Sequence, residues 1–213
     1  MRTRLLHLLG IGLLCMAGSA CATLSPTYLD FEDIITKEIS GTYYKDLYWE
    51  YGNPGYYNIN GSWMCPEPIN STDYYYCPKS GTHYLTNSWG CTELGIQFLK
   101  PVEVIGAYFS GHGFIDNWAE GVRVHGFRNG IEVAVTQWFM DIDQTPDWFA
   151  INLKNVDRIV IEAKPASQSE NGSLYGIYGW YGMDDLVYDV IPEPASLILL
   201  SLGALVISRQ RAA

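Results

Sequence analysis

Asn129-Gly130 stands between two runs in which apolar and polar residues alternate, Val122–Arg128 and Ile131–Thr136. Asn-Gly is the favoured pair for a two-residue type I′ turn, because both central positions need positive φ and these residues adopt it at least cost. Such a turn fixes the register of the strands it joins. Arg128 then faces Ile131, Gly126 faces Val133 and Val124 faces Val135, so the valines share a core face while Arg123 and His125 look the other way. A hairpin specified twice over, by turn chemistry and by alternation, commits the chain around it to antiparallel pairing.

The neighbouring segments read in the same key. Leu29–Ile35 opens the body as a strand; Ile96–Leu99 and Val102–Tyr108 flank a Lys100-Pro101 break, since Pro inside a strand marks an edge or a bulge. Trp148–Asn152 and Arg158–Ala163 are two more strands joined by a polar turn at 154–157, and Gly182–Asp189 closes the body. Between Gly41 and Gly90 the chain is crowded with Tyr, Gly, Asn, Pro and Ser, which predicts loops. No body segment sustains an i, i+3, i+4, i+7 apolar pattern over three turns. Short strands without helical repeats predict an all-β fold, an antiparallel β-sandwich of jelly-roll type.

Both ends differ in composition from the body. Arg2 and Arg4, the apolar run Leu5–Leu14 and the small residues ending Ala20-Cys21-Ala22 read as a secretory signal helix spanning 1–22. Cys21 leaves a lipoprotein reading open, against which stands Gly18 where an aliphatic residue is usual. At the other end, Pro192-Glu193-Pro194-Ala195-Ser196 precedes an apolar stretch, Leu197–Ile207, that is followed by Arg209 and Arg211. That stretch is shorter than the 18 or more residues of a stable membrane-spanning helix. The expected organisation is therefore a signal at 1–22, one sandwich domain at 23–190 and a processed tail at 191–213.

Charge then excludes one class of partner. The chain has 13 Lys and Arg against 23 Asp and Glu; setting aside Arg2, Arg4, Arg209, Arg211 and Glu193 leaves 9 basic and 22 acidic groups, a net charge of −13 for the body. Such a surface repels a phosphate backbone, so no nucleic acid is expected. Of the cysteines, Cys65, Cys77 and Cys91 belong to the body. Cys65-Pro66 and Cys77-Pro78 bracket a polar, turn-rich insert, which favours a Cys65–Cys77 disulfide in an oxidising compartment and leaves Cys91 over. No CxxC spacing supports zinc instead.

Catalytic motifs are missing. His83, His112 and His125 stand without the partners a catalytic reading requires, and the sequence has no G-x-S-x-G elbow, no H-E-x-x-H, no phosphate-cradling Gly loop and no dinucleotide fingerprint. His125, beside core valines, reads as a sheet-surface residue. The carboxylates are numerous enough for a polysaccharide-acting hydrolase, but that needs a pair set about 5 to 9.5 Å apart across a cleft. The expectation is no enzyme. Tyr and Trp in loop-rich stretches suit stacking on sugar faces, with Tyr56, Tyr57, Trp118 and Trp180 the candidates because each adjoins Gly or Asn. The alternative role for such rings is to seal a loop-rich edge of the core.

The tail, from Pro192, Glu193 and Pro194 through the apolar run to the arginines, resembles the PEP-CTERM sorting tail of Gram-negative bacteria. The resemblance implies that an exosortase-type membrane protease processes the protein, that residues 195–207 insert transiently in the membrane, and that the body reaches the cell surface or an exopolysaccharide matrix. Asp30-Phe31-Glu32, Gly106–Phe109, the hairpin, Val156–Ile161 and Met183-Asp184-Asp185-Leu186 resemble the jelly-roll ectodomains often found before such tails, and lectin-like sandwiches. That resemblance implies neighbouring first and last strands, with a structural Ca²⁺ held by Glu32 and by Asp184 or Asp185. The function expected is a non-catalytic surface or matrix protein that binds carbohydrate weakly or simply forms part of the layer. The alternatives are the hydrolase and a membrane-anchored structural protein that keeps its tail.

Overall fold

A computed structural model of the protein describes residues 25–55, 58–66, 78–113, 118–165 and 179–191. Eleven strands run through them: β1 Thr27–Leu29, β2 Thr42–Tyr44, β3 Leu47–Trp49, β4 Trp63–Met64, β5 Leu85–Asn87, β6 Glu93–Gly111, β7 Gly121–Arg128, β8 Ile131–Val135, β9 Phe139–Met140, β10 Asp147–Lys164 and β11 Tyr181–Val190. Every pairing between them is antiparallel. The spine runs β4-β5-β11-β6-β10-β7-β8, with β1 on β11, the β2–β3 hairpin on β6 and β9 on β7. The body is all-β, as the alternation and turn chemistry predict, and consistent with a sandwich.

The first and last strands are neighbours: Thr27 faces Tyr188 and Leu29 faces Leu186. The opening strand shares only Leu29 with the expected Leu29–Ile35, and residues 30–35 are turn and coil. Phe31 leaves the extended region at φ 60° and drops its ring, fully buried, into the core.

Two expected interruptions take another form. β6 continues through Pro101 as one strand, but its register against β10 slips there, Val156 facing Val102 and Arg158 facing Gln97, which is the bulge that Pro inside a strand predicts. On its other edge the partner changes from β3, at 96–98, to β11, at 102–111. The carbonyl of Pro101 accepts from the Ile191 amide at 2.9 Å. β10 likewise passes through the supposed turn at 154–157, with Asn152 and Asn155 at φ 52° and 56° and register shifts around them. They make bulges, by which one long strand bends to serve two parts of a sandwich.

The hairpin is present, with Asn129 at φ 52° and Gly130 at 78°. Beyond the turn, a bulge between Gly126 and Phe127 shifts the register: Gly126 faces Ala134 and His125 faces Val135, not the pairs expected. Val122 and Val124 are buried, but Ile131, Val133 and Val135 are exposed, so β8 forms an outer edge and gives nothing to the core.

That core is aromatic. Trp49, Trp63, Tyr84, Tyr181, Phe31 and Phe109 are fully buried, Trp49 meeting Trp63 edge-on at 5.4 Å and Trp63 meeting Tyr181 at 6.3 Å. Rings of this size contribute about 2–3 kcal/mol each by burial, and their edge-to-face contacts add to that. Trp63 also donates its indole N–H to the carbonyl of Gly95 at 3.0 Å, tying β4 to the start of β6.

Candidate functional site

Two grooves meet at Tyr51, just beyond β3. The first is an open groove of about 700 Å³ lined by Trp89, Tyr51, Asn58, Asn60, Ile59 and Glu38 among others. Its floor is set by the turn Ser88–Gly90, in which Trp89 takes φ 61°, ψ 15°. A tryptophan in this left-handed region costs on the order of 1–3 kcal/mol and persists only where the surroundings impose it. Here they do so through Asn87, fully buried, whose side chain donates to the carbonyls of Cys91 at 2.8 Å and Gly179 at 2.7 Å and accepts from the Tyr181 amide at 2.8 Å. The Ser88 amide donates to Ser62 at 2.8 Å.

The other wall comes from the small hairpin around Pro54 and Asn60, which form an antiparallel bridge. Gly55 lets it lie flat on the turn, since a Cβ there would stand 2.2 Å from the Trp89 carbonyl oxygen. The result leaves Trp89 39% and Tyr51 56% exposed, with the amide side chains of Asn58 and Asn60 between them.

The second groove, about 420 Å³, lies on the solvent face of β6, β10, β7 and β8. Alternation puts Arg158, Val160 and Glu162 of β10 beside Arg123, His125 and Phe127 of β7 on this face. Arg158 grips Glu50 with two bonds of 2.7 Å, and Arg123 donates to Glu162 at 2.6 Å. The His125 ring touches Glu162 at 2.7 Å and Glu132 at 3.0 Å. Gly95 makes room for the first pair, since a Cβ there would lie 2.1 Å from the Glu50 carboxylate. Both guanidiniums also cover rings, Arg158 over Phe127 at 4.9 Å and Arg123 over Trp138 at 4.5 Å. Burial acts to raise the Glu162 pKa, but the bonds from Arg123 and His125 outweigh it and hold the group below its ordinary value.

The residues singled out for Ca²⁺ come together differently from a cation site. Glu32 accepts from the amides of Thr82 at 2.8 Å and His83 at 2.7 Å. Asp184, 2% exposed, accepts from Lys79 at 2.7 Å, Ser80 at 3.0 Å and Asp185 at 2.7 Å, and Asp185 accepts from the Ser80 hydroxyl at 3.0 Å. Glu32 and Asp184 thus hold one loop, 79–83, by its N–H groups, and Asp185 holds it by the Ser80 hydroxyl. Among the described residues no three His, Cys, Asp or Glu are placed to hold a metal ion. Burial pushes Asp184 up to about 6, the amides of Ser80 and Asp185 opposing it and the Asp185 charge adding to it. In Glu32 desolvation acts upward, but the amide bonds from His83 and Thr82 prevail and its pKa is lowered.

Trp118 and Trp180 are joined by a parallel bridge, each half-buried. The Trp118 ring lies on the backbone of Gly111, where a Cβ would come within 2.2 Å. Tyr56, Tyr57, Cys77 and the motif Pro192, Glu193, Pro194 lie outside the described residues, as do the signal and the apolar tail. Cys65 is buried and is bonded to no cysteine among the described residues. His112 is buried against the Tyr84 hydroxyl at 2.7 Å, and burial lowers its pKa to about 4, keeping the ring neutral. Trp89 escaped the sequence reading, and Tyr51 counted only among the many rings of the loop-rich stretch, although Trp89-Gly90 and Tyr51-Gly52 satisfy the same criterion of a ring beside glycine.

Among the described residues no helix is long and apolar enough to cross a membrane. Comparison with curated proteins gives no match. A solved structure of CBM51-2 in complex with GlcNAc and INT domains from Clostridium perfringens ZmpB is similar over 77% of this chain, at 10% identity and a TM-score of 0.33. This chain spans about a third of that one's length, 31%. Residues 190–212 match the PEP-CTERM protein-sorting motif. The chain is thus an exported protein that carries the sorting signal read by an exosortase.

Proposed function

We propose that the exported body is a non-catalytic carbohydrate-binding module, displayed at the cell surface or in an exopolysaccharide matrix, and that it binds through the groove between Trp89 and Tyr51. The observation that carries this reading is Trp89 itself. An indole held at φ 61° by a buried Asn87, with its neighbour Tyr51 more than half exposed, is a strained arrangement that leaves two rings bare beside Asn58 and Asn60. Rings supply the apolar face of a sugar with a platform, and amides take its hydroxyls. Trp118 packs on Gly111 and is better explained as structural. The non-catalytic half rests on the second groove, where the lowered pKa of Glu162 and its engagement by Arg123 and His125 suit an anion and not a general acid, which needs a raised pKa.

A glycan array followed by calorimetry on the secreted protein tests the proposal. Binding in the micromolar to millimolar range is expected, and Trp89→Ala or Tyr51→Ala should weaken it about tenfold, roughly 1.4 kcal/mol. Unchanged affinity in both variants would remove the groove from consideration, and release of reducing ends from any bound polysaccharide would overturn the non-catalytic reading.

A further inference from the structure

We infer that the charged groove beside Tyr51 is the subsite for a sugar bearing a free amino group, so that the preferred ligand is a cationic, amino-sugar-containing glycan. The inference rests on the carbohydrate reading above and adds its chemical class. Tyr51 lines both grooves, so a glycan stacked on Trp89 and Tyr51 continues onto the sheet face. There the hydrogen-bonding groups are already fixed: Glu50 by two bonds of 2.7 Å from Arg158, Glu162 by Arg123 at 2.6 Å and His125 at 2.7 Å. Ligand binding then has little side-chain entropy left to remove.

Charge selects the class. The groove holds four carboxylates, Glu50, Glu93, Glu132 and Glu162, against two guanidiniums and one imidazole. Both guanidiniums are engaged by Glu50 and Glu162. Among the described residues Glu132 bonds to the His125 ring and Glu93 makes no ion pair, their charges reaching Arg123 and Arg158 without a bond, so the groove keeps an excess of carboxylates. An anionic sugar entering here meets Glu93 and Glu132 with no uncommitted guanidinium to receive it, and like charges brought together in a groove are a means of rejection. An ammonium group meets the complementary field. The body's excess of acidic groups over basic ones adds a long-range attraction for a polycation, and that attraction weakens with salt.

The test is calorimetry of the secreted protein with glucosamine oligomers, N-acetylglucosamine oligomers and uronate oligomers at mildly acidic pH, in low and high salt. Glucosamine oligomers should bind about tenfold more tightly than the N-acetylated ones in low salt, and uronate oligomers most weakly. The preference should shrink in high salt and vanish in the Glu93→Gln/Glu132→Gln variant. Both side chains are exposed, with Glu132 at 49%, so the fold should survive, which circular dichroism checks. Equal or tighter binding of N-acetylated or uronate oligomers, or a preference that persists in the double variant, overturns this inference and leaves the carbohydrate reading standing. Should none of the oligomers bind while the glycan array finds another ligand, this inference alone fails; no binding in either removes the carbohydrate reading and this inference with it.

Discussion

At the scale of single residues, strain and burial give the sharpest expectations. Trp89→Gly and Trp89→Ala both delete the indole, but only Gly relaxes at φ 61°. Trp89→Gly should therefore be the more stable of the two by about 1 kcal/mol in denaturant melts, with neither binding glycan. Equal stabilities would mean that the turn is not strained. The cysteines give a second case. Burial raises the Cys65 thiol, and the charges of Glu32 and Asp184 push the same way, so the thiol lies near the carboxylates that hold Lys79 and Ser80. Cys91 is 1% exposed and burial pushes it up to about 12, so it should resist alkylation until the protein unfolds. Non-reducing peptide mapping after alkylation of the folded protein should find Cys65 linked to Cys77 and Cys91 unmodified. A Cys91 disulfide as the main species would contradict this.

At the scale of elements, the loop 79–83 makes the fold sensitive to pH in a predictable direction. Asp184 has a raised pKa of about 6, so the folded state binds its proton more tightly than the unfolded chain, and stability declines as pH rises from about 4 through 6. The effect should be on the order of 1–2 kcal/mol and absent from Asp184→Asn. Glu32 and Glu162 have lowered values and act oppositely, their contribution being lost as pH falls below the ordinary carboxylate range. Because the loop's amides already occupy Glu32 and Asp184, millimolar Ca²⁺ should leave the melting temperature where EDTA leaves it. A calcium-dependent rise that Glu32→Ala abolishes would show instead that a cation displaces those amides.

The same elements show what a sequence can reveal. The Asn129-Gly130 turn was legible because its requirement is local: two positive φ values and nothing else. The bulge at Val133 of β8, opposite Gly126 and Phe127, was not, because it leaves no mark in the hairpin's own alternation. Asn152 and Asn155 carried a true signal of left-handed backbone that a turn and a bulge share equally. Pro101 marked where β6 slips register against β10 and passes from β3 to β11, without ending the strand. The polar groove stayed hidden since Glu50, Arg158, Glu162 and His125 come from three separate strands or their ends, and sheet order alone brings them together.

For the whole molecule, antiparallel pairing of β1 with β11 places the entry and exit of the body side by side, Thr27 against Tyr188. The sorting motif begins where the sheet stops: β11 ends at Val190, Ile191 is tied to Pro101, and the matched region spans 190–212. Cleavage at Pro192–Ala195 would therefore remove no residue of the eleven strands described. Intact mass of protein recovered outside the cell should give a chain from about Thr23 to the Pro192–Ala195 motif, and recovery of a chain ending at Ala213 would refute removal of the tail. A chain ending at Ile191 should melt like the processed protein. One ending at Asp185 should not fold, because it lacks Leu186 and Tyr188, both buried, leaves β1 unpaired and removes the partners of residues 102–106 in β6. Losing two such side chains costs about 5 kcal/mol, comparable to the whole stability of a domain this size. Cooperative melting of the form that ends at Asp185 would mean that the C-terminal strand is dispensable, and that the juxtaposition of sheet end and sorting motif has no structural consequence.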